Sequence, residues 1–443
     1  MVESRPVNPL DAFKGLTPDA RWAFWDFTQR QTGYVTHSYH RYPAKFIPQL
    51  AARLIETYSR PGECVIDPFM GSGTTLVEAK LLRRPCLGVD INPVAYWVAR
   101  AKTQAIEPSV LEEAQTRVSE QLRYCSQLAL FDTPTPVSSA AQTDKWHERL
   151  HYWFPSETLH QLSQIQRVID DLENEQLRTF FYCALSHILK SVSYWHDRSV
   201  KPMRRLDKPI PDARVVFLRH ARRMARGNRE FWDLLRLREA LETPTRIYCA
   251  DARCLPVQDE SATLIVTSPP YVTSYEYADL HQLSVLWFGW ATDQREFREQ
   301  FIGRSNGVAH PHIPHGSSLA ERIIGQIGET NPRKAREVAL YFGEMRACFV
   351  EMRRVLRPNG SACIVIGNTH LCGVEVQNAQ VFAEQLYNLG FRIERVILRE
   401  IPSKILPRTR DKATGKFAKT GEADYIAYPT EYILIARKIE KTV

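Results

Sequence analysis

No apolar run in this 443-residue chain approaches the roughly 18 residues that would span a bilayer. The start, Met1 to Pro18, is polar and carries prolines instead of a charged segment followed by an apolar one, so no secretory leader is expected and the chain is read as cytoplasmic. Closely spaced cysteine pairs are also missing. The nine cysteines are scattered from Cys64 to Cys372, which argues against a disulfide framework and a zinc module and leaves reduced thiols, some in the core. There is no internal repeat and no long low-complexity tract. With 44% hydrophobic and 24% charged residues, the composition is that of a folded chain and not a disordered one.

What is present is a mild excess of cations. Fifty-eight Lys and Arg against 50 Asp and Glu give a net charge of +8, which suits a polyanionic partner without requiring one. The length fits one large domain with an insertion, or two domains sharing a cleft.

The informative order begins at Glu63. A short apolar strand, Cys64-Val65-Ile66, runs into Asp67-Pro68-Phe69-Met70-Gly71-Ser72-Gly73-Thr74-Thr75, then a helical stretch Leu76 to Leu82, then a second strand from Cys86 that ends in Asp90. Further on, Arg246 to Ala250 reads as a strand delivering Asp251, and Ala262 to Val266 as one delivering Thr267-Ser268-Pro269-Pro270-Tyr271. A late unit follows: a helix Val350 to Leu356, the turn Arg357-Pro358-Asn359-Gly360, and the apolar run Ala362 to Ile366. Strands alternating with helices predict an α/β, doubly wound, Rossmann-like sheet with its ligand crevice at the carboxyl ends of the strands.

Residues 106–245 read differently. Ser109 with Glu112 has the pattern of a capping box, and Leu159, Leu162, Ile165, Ile169 and Leu172 keep helical spacing, so this stretch is expected to be a mainly helical insertion with a loop at Thr133 to Ser139. It carries a basic run that includes Arg204, Arg205, Arg222 and Arg223; a phosphate-contacting surface and a solvated helix face are both open readings. The same two readings hold for a basic loop with Lys404, Arg408 and Arg410.

A Gly-Ser-Gly turn between strand and helix lets a ligand approach the backbone beside the free N–H groups of the helix start. A dinucleotide fingerprint would place a third glycine where Leu76 stands, so a nucleoside with a short polar tail fits better than a pyrophosphate. Asp90, 23 residues after Asp67, stands where a carboxylate accepts from ribose hydroxyls, and Asp251 where one accepts from an adenine amino group. In Ser268 to Tyr271 two prolines stiffen the strand exit, which aims the Ser268 hydroxyl and the Pro269 carbonyl at the crevice and offers the Tyr271 ring to an extruded base. Two acceptors on the N–H bonds of a conjugated amino group localise its lone pair for attack on a sulfonium methyl.

Together these segments resemble the amino-methyltransferases of DNA. In that family a Ser-Pro-Pro-Tyr tetrad holds the target amino group and Asp-Pro-Phe-x-Gly-Ser-Gly-Thr binds S-adenosylmethionine. The resemblance thus implies catalytic Ser268, Pro269, Pro270 and Tyr271, and cofactor contacts from Asp67, Pro68, Phe69, Gly71, Gly73 and Thr74. Arg41-Tyr42-Pro43-Ala44-Lys45-Phe46 is similar to the segment that closes over the methionine end of the cofactor, which adds Lys45 and Phe46. The implied organisation is a first half of the core at 37–105, the helical insertion at 106–245 as a candidate target-recognition region, and a second half at 246–440 with the tetrad.

Ser268 in the tetrad points to cytosine N4 as the methylated atom, with adenine N6 as the alternative. The implied substrate is double-stranded DNA, and a restriction or defence-system partner is compatible with the resemblance. In many cytosine-N4 relatives the tetrad precedes the Gly-rich part, whereas here it follows, which leaves target recognition to the insertion, to Val272 to Lys334, or to both. RNA or protein amide methylation and a non-catalytic DNA-binding subunit are the rival readings.

Three features are set aside. His310-Pro311-His312-Ile313-Pro314-His315 lacks a neighbouring carboxylate or thiol, so no metal site is expected. Tyr275, Tyr277, Trp287 and Trp290 keep helical spacing with Leu280 and Leu283 and read as core. Pro85-Cys86 opens the strand to Asp90, away from the tetrad, which rejects a covalent cysteine mechanism.

Overall fold

The computed structural model describes residues 8–42, 46–128, 144–199, 201–272, 277–291, 294–303, 314–401, 409–410, 425–426 and 430–440. Its centre is a seven-stranded sheet built from β1 (Val65–Asp67), β2 (Cys86–Asp90), β3 (Thr245–Cys249), β4 (Ala262–Thr267) and β5 (Leu356–Ile366). Two small strands, β6 (Thr369–Leu371) and β7 (Val374–Val376), pair outside the sheet; β8 (Phe391–Glu400) returns to it. β9 (Thr409–Arg410) pairs with β10 (Tyr425–Ile426), and β11 (Thr430–Lys438) completes the sheet in the order β3-β2-β1-β4-β5-β11-β8. β11 runs antiparallel to both neighbours, and the pairings from β3 to β5 are parallel.

The strands are apolar on both faces because both faces are covered. Val65, Leu264, Val266, Cys363, Val365, Ile433 and Ile435 pack on one side with Leu50, Leu54 and Ile55 of the helix Pro48–Tyr58 and Leu76 of the helix Thr74–Leu81. The alternate residues Ile66, Ile265, Ile364, Ile366 and Leu434 pack on the other with Phe342, Phe349 and Met352 of the helix Pro332–Val355 and Phe382 of the helix Asn378–Asn388.

Several expected boundaries shift. The late helix runs to Val355, and the turn Arg357 to Gly360 is an excursion inside β5: Ala262 pairs with Leu356 while Leu264 pairs with Ser361, and Asn359 takes φ 61°. The capping box at Ser109 is not formed. That residue lies within the helix Pro108–Leu128, and its hydroxyl donates instead to Glu107 Oε1 at 2.9 Å.

Between β2 and β3 the chain is helical: Pro108–Leu128, Asp144–Trp153, Ser156–Asp170, Glu175–Ile188 and Ala213–Leu237. These helices share a core in which Leu162, Ile165, Phe180, Phe181, Phe217 and Met224 meet Val94 and Val98 of the helix Pro93–Thr103. Trp287 and Trp290 pack against that core, Trp290 stacking on Phe288 at 4.6 Å between ring centres. The segment Thr133 to Ser139, Tyr275 and the histidines His310 and His312 lie outside the described residues.

Candidate active site

The site forms where the sheet order turns, between the carboxyl ends of β1 and β4. Asp67 ends β1 with its carboxylate 2% exposed. Its Oδ1 accepts from Thr267 Oγ1 at 2.6 Å and from the Phe69 backbone N–H at 3.1 Å, and its Oδ2 accepts from Thr75 Oγ1 at 2.7 Å. Burial pushes this carboxyl up to about 6, against the lowering effect of those donors. Asp67 therefore joins β1, β4 and the first turn of the following helix.

The turn that follows needs its glycines. Gly71 and Gly73 sit at φ 47° and 74°, and a Cβ on Gly73 would stand 2.9 Å from that of Ala99. Gly73 caps the helix Thr74–Leu81 without a side-chain bond, so its first N–H groups face the crevice. Asp90, at the end of β2, accepts from the Gly71 and Asn92 backbone N–H groups, each at 2.9 Å. Burial pushes it up to about 6, and the negative charge of Asp67 adds to the rise.

One cavity joins these residues. Tyr42, Phe46, Asp67, Pro68, Phe69, Gly71, Thr74, Asp90, Asp251, Ser268 and Pro270 all line it. Asp251 is held in a fork by its neighbour Arg253, whose Nη2 lies 2.6 Å from Oδ2; Arg253 also pairs with Glu344. No described residue hydrogen-bonds to the Ser268 hydroxyl on the cavity wall; Pro269 is buried beside it and, like Gly73 and Tyr271, is not among the residues that line the cavity, and the Pro270 carbonyl accepts from Tyr341 Oη at 2.8 Å. The Tyr271 ring lies over Gly367 at the end of β5, where a Cβ would come within 3.0 Å of it, and its hydroxyl donates to Glu431 Oε2 at 3.4 Å. Glu431 in turn pairs with buried Arg399 at 2.5 Å.

Sequence reasoning placed Phe46 at the cavity but left out Tyr42, whose ring covers Gly71 and stands 4.7 Å from that of His281. It also left out Gln300, Phe301 and Ile302, which close the wall beside Asp251. Tyr42 lay within the segment quoted for its neighbours; nothing in the spacing signalled Gln300 to Ile302. Lys45, Lys404 and Arg408 lie outside the described residues, and Arg410 is described only as part of β9.

The basic run divides. Arg222 and Arg223 are exposed on the helix Ala213–Leu237 and make no ion pair with a described residue. Arg205 pairs with Asp207 at 2.8 Å. Arg204 lays its guanidinium over Tyr152 at 4.2 Å and Tyr194 at 5.2 Å, so it packs rather than standing free.

The strand order, the Gly-Ser-Gly turn and the strand-end acids are those of the S-adenosylmethionine-dependent methyltransferases. The residues fit that cofactor: Thr74 Oγ1 is buried with no partner, the helix start offers N–H groups, and Asp90 offers a carboxylate to hydroxyls. Within this class the chain belongs to the DNA methylase family N6_N4_Mtase, which matches residues 14–100 and 262–443.

Among its relatives, the type II methyltransferase M.MvaI of Kocuria varians is 27% identical over 410 residues, covering 88% of this chain and 89% of the relative. The type II methyltransferase M.MjaII of Methanocaldococcus jannaschii is 24% identical over 270 residues, 55% of this chain and 50% of the relative. A solved S-adenosylmethionine-dependent methyltransferase from Methanosarcina mazei aligns over 88% of this chain and 98% of its own, at 9% identity and a TM-score of 0.29. The protein is a methyltransferase that uses S-adenosylmethionine to methylate amino groups in DNA. No helix among the described residues is long and apolar enough to cross a membrane.

Proposed function

We propose that the protein methylates cytosine N4 in double-stranded DNA, on a base turned out of the helix into the cavity, as the modification enzyme of a type II system. The observation that carries this reading is the Ser268 hydroxyl, on the cavity wall and without a partner among the described residues. S-adenosylmethionine supplies an electrophilic methyl on its sulfonium. Asp90 accepts from the ribose hydroxyls, Asp251 and its Arg253 fork frame the adenine end, and Tyr42 and Phe46 cover the turn.

Ser268 and the Pro269 carbonyl accept the two N–H bonds of the target amino group and direct its lone pair towards the methyl. A neutral serine hydroxyl also donates to the ring nitrogen beside the amino group, which an ionised aspartate does not. Tyr271, set over Gly367, stacks on the extruded base. The helices from Pro108 to Leu237 take the role of target recognition, with Arg222 and Arg223 on phosphates. Type II relatives such as M.MvaI support the assignment to a modification system.

Mass spectrometry of nucleosides from plasmid DNA treated with enzyme and labelled cofactor tests the base. Label in N4-methylcytosine supports the reading; label only in N6-methyladenine moves the target to adenine, and label in neither overturns the activity.

A further inference from the structure

Between the helices Glu175–Ile188 and Ala213–Leu237 the chain makes a short hairpin. Trp195 bridges Arg204, the His196 N–H donates to the Met203 carbonyl at 2.8 Å, and the Arg205 N–H donates to the Tyr194 carbonyl at 2.7 Å. Its base is stiff. Trp195 is 2% exposed and stacks on Trp153, and the buried Lys208 ammonium donates to the Lys190 and Trp195 carbonyls, each at 3.0 Å. Lys190 ties down the loop from the other side by donating to the Ser199 carbonyl at 2.7 Å.

On this base stand two apolar side chains that pack on little. Met203 is 48% exposed and Leu206 65%; exposed Arg198 and Lys201 belong to the same turn, as does Arg205, which pairs with Asp207. Holding large apolar groups in water on a rigid turn is unfavourable unless a partner covers them. Cations around an apolar tip match a duplex, whose phosphates take the charges while the tip parts a base step.

The helix that leads into the hairpin also touches the segment beside the active site. Lys190 is near enough to Arg41 for the two charges to repel, the Arg41 N–H donates to His187 Nδ1, and the next residue, Tyr42, lines the cavity.

We propose that Met203 and Leu206 form a wedge that enters the base stack of DNA beside the target nucleotide and occupies the space the extruded base leaves. The proposal rests on the reading that this enzyme methylates a turned-out base in duplex DNA. Extrusion costs unstacking and unpairing energy, and that cost falls when the base is already unpaired.

The test uses the full chain carrying Met203→Ala with Leu206→Ala, and a duplex bearing the site that sequencing of a methylated plasmid defines. The variant is expected to lose about tenfold in methylation rate on the paired duplex and to come within about twofold of the unaltered enzyme when the target base faces an abasic site. Both positions are exposed, so its melting temperature and its affinity for non-specific duplex should be unchanged. The Met203→Leu, Leu206→Met exchange should keep the rate. An unaltered rate on the paired duplex, or an equal loss on both substrates, overturns the wedge. Failure of the unaltered enzyme on both duplexes instead overturns the methylation reading beneath it.

Discussion

The Thr267 hydroxyl donates to Asp67 Oδ1 at 2.6 Å and so ties the strand that opens the cofactor turn to the strand that delivers the tetrad, 200 residues apart in sequence. Thr267→Val keeps the shape and removes the donor from a buried carboxylate. A loss of about 1–3 kcal/mol in unfolding free energy is expected by denaturant titration, with weaker cofactor binding by calorimetry. Unchanged values in both would show that Thr75 and the Phe69 N–H satisfy Asp67 alone.

Asp90 should give the cofactor affinity a pH dependence. Burial raises this carboxyl to about 6, so the stability its protonated form provides is present at low pH and is lost as pH rises through about 6. Ribose hydroxyls favour the ionised form, so affinity for S-adenosylmethionine should rise with pH through the same window and then level. Asp90→Asn should flatten the curve, and Asp90→Ala should cost about 1–3 kcal/mol of binding. An affinity independent of pH from 5 to 8 (roughly the span that brackets the shift) would remove Asp90 from the ribose.

Ser268→Ala should lower kcat steeply while cofactor affinity stays nearly level, since in the proposed reading the hydroxyl acts on the base and not on the nucleoside. Gly367→Ala provides an independent check, since its Cβ would press on the Tyr271 ring. The rate should fall about tenfold or more with little change in cofactor binding. Equal rates for this variant and the parent would mean that the Tyr271 ring position is immaterial.

Arg222→Gln and Arg223→Gln should each flatten the dependence of log DNA affinity on log salt by about 0.9. Arg204→Gln should leave that slope alone and lower the melting temperature instead, because its guanidinium is stacked on Tyr152 and Tyr194. The reverse pattern would exchange their roles.

A set of buried imidazoles joins the helices to the sheet half. His40 binds Ser186 at 3.0 Å, His220 binds the Tyr39 carbonyl at 2.8 Å, and His281 binds Asn92 at 2.9 Å. Burial lowers His40 to about 3 and His220 and His281 to about 4. These depressed values make the stability from the neutral rings present above about 6.5 and lost as pH falls towards 4. Asp67 and Asp90 act with the opposite sign, so the comparison is with a variant: His220→Gln should reduce the acid slope by up to about one proton, near 1.4 kcal/mol per pH unit. Identical slopes would place the acid sensitivity elsewhere.

The strands that lead to the candidate site were legible because each is a short apolar run ending in a polar residue of distinct type, Asp67, Asp90 or Ser268. The helices between β2 and β3 were legible through the spacing at Leu159 to Leu172. The position of β11 between β5 and β8 was not, since its continuous apolar run Tyr432 to Ile435 names no partner. Nor was the occupancy of the acids. Asp251 reads as a free acceptor, yet Arg253 lies two residues on and folds back onto it. Arg204 reads as a phosphate contact for the same reason, because sequence reports charge but not the ring it rests on.

The pairing of β1 with β4 also sets when the cofactor pocket can exist. On a ribosome β1 and β2 emerge early, and β1 presents an unpaired edge until β4 follows. Only after residue 267 has left the tunnel can Thr267 reach Asp67, so this contact closes late. Until then the nascent chain carries an open strand edge. Host strains with little chaperone capacity should therefore lose this protein to aggregation before methylation fails in the molecules that do fold.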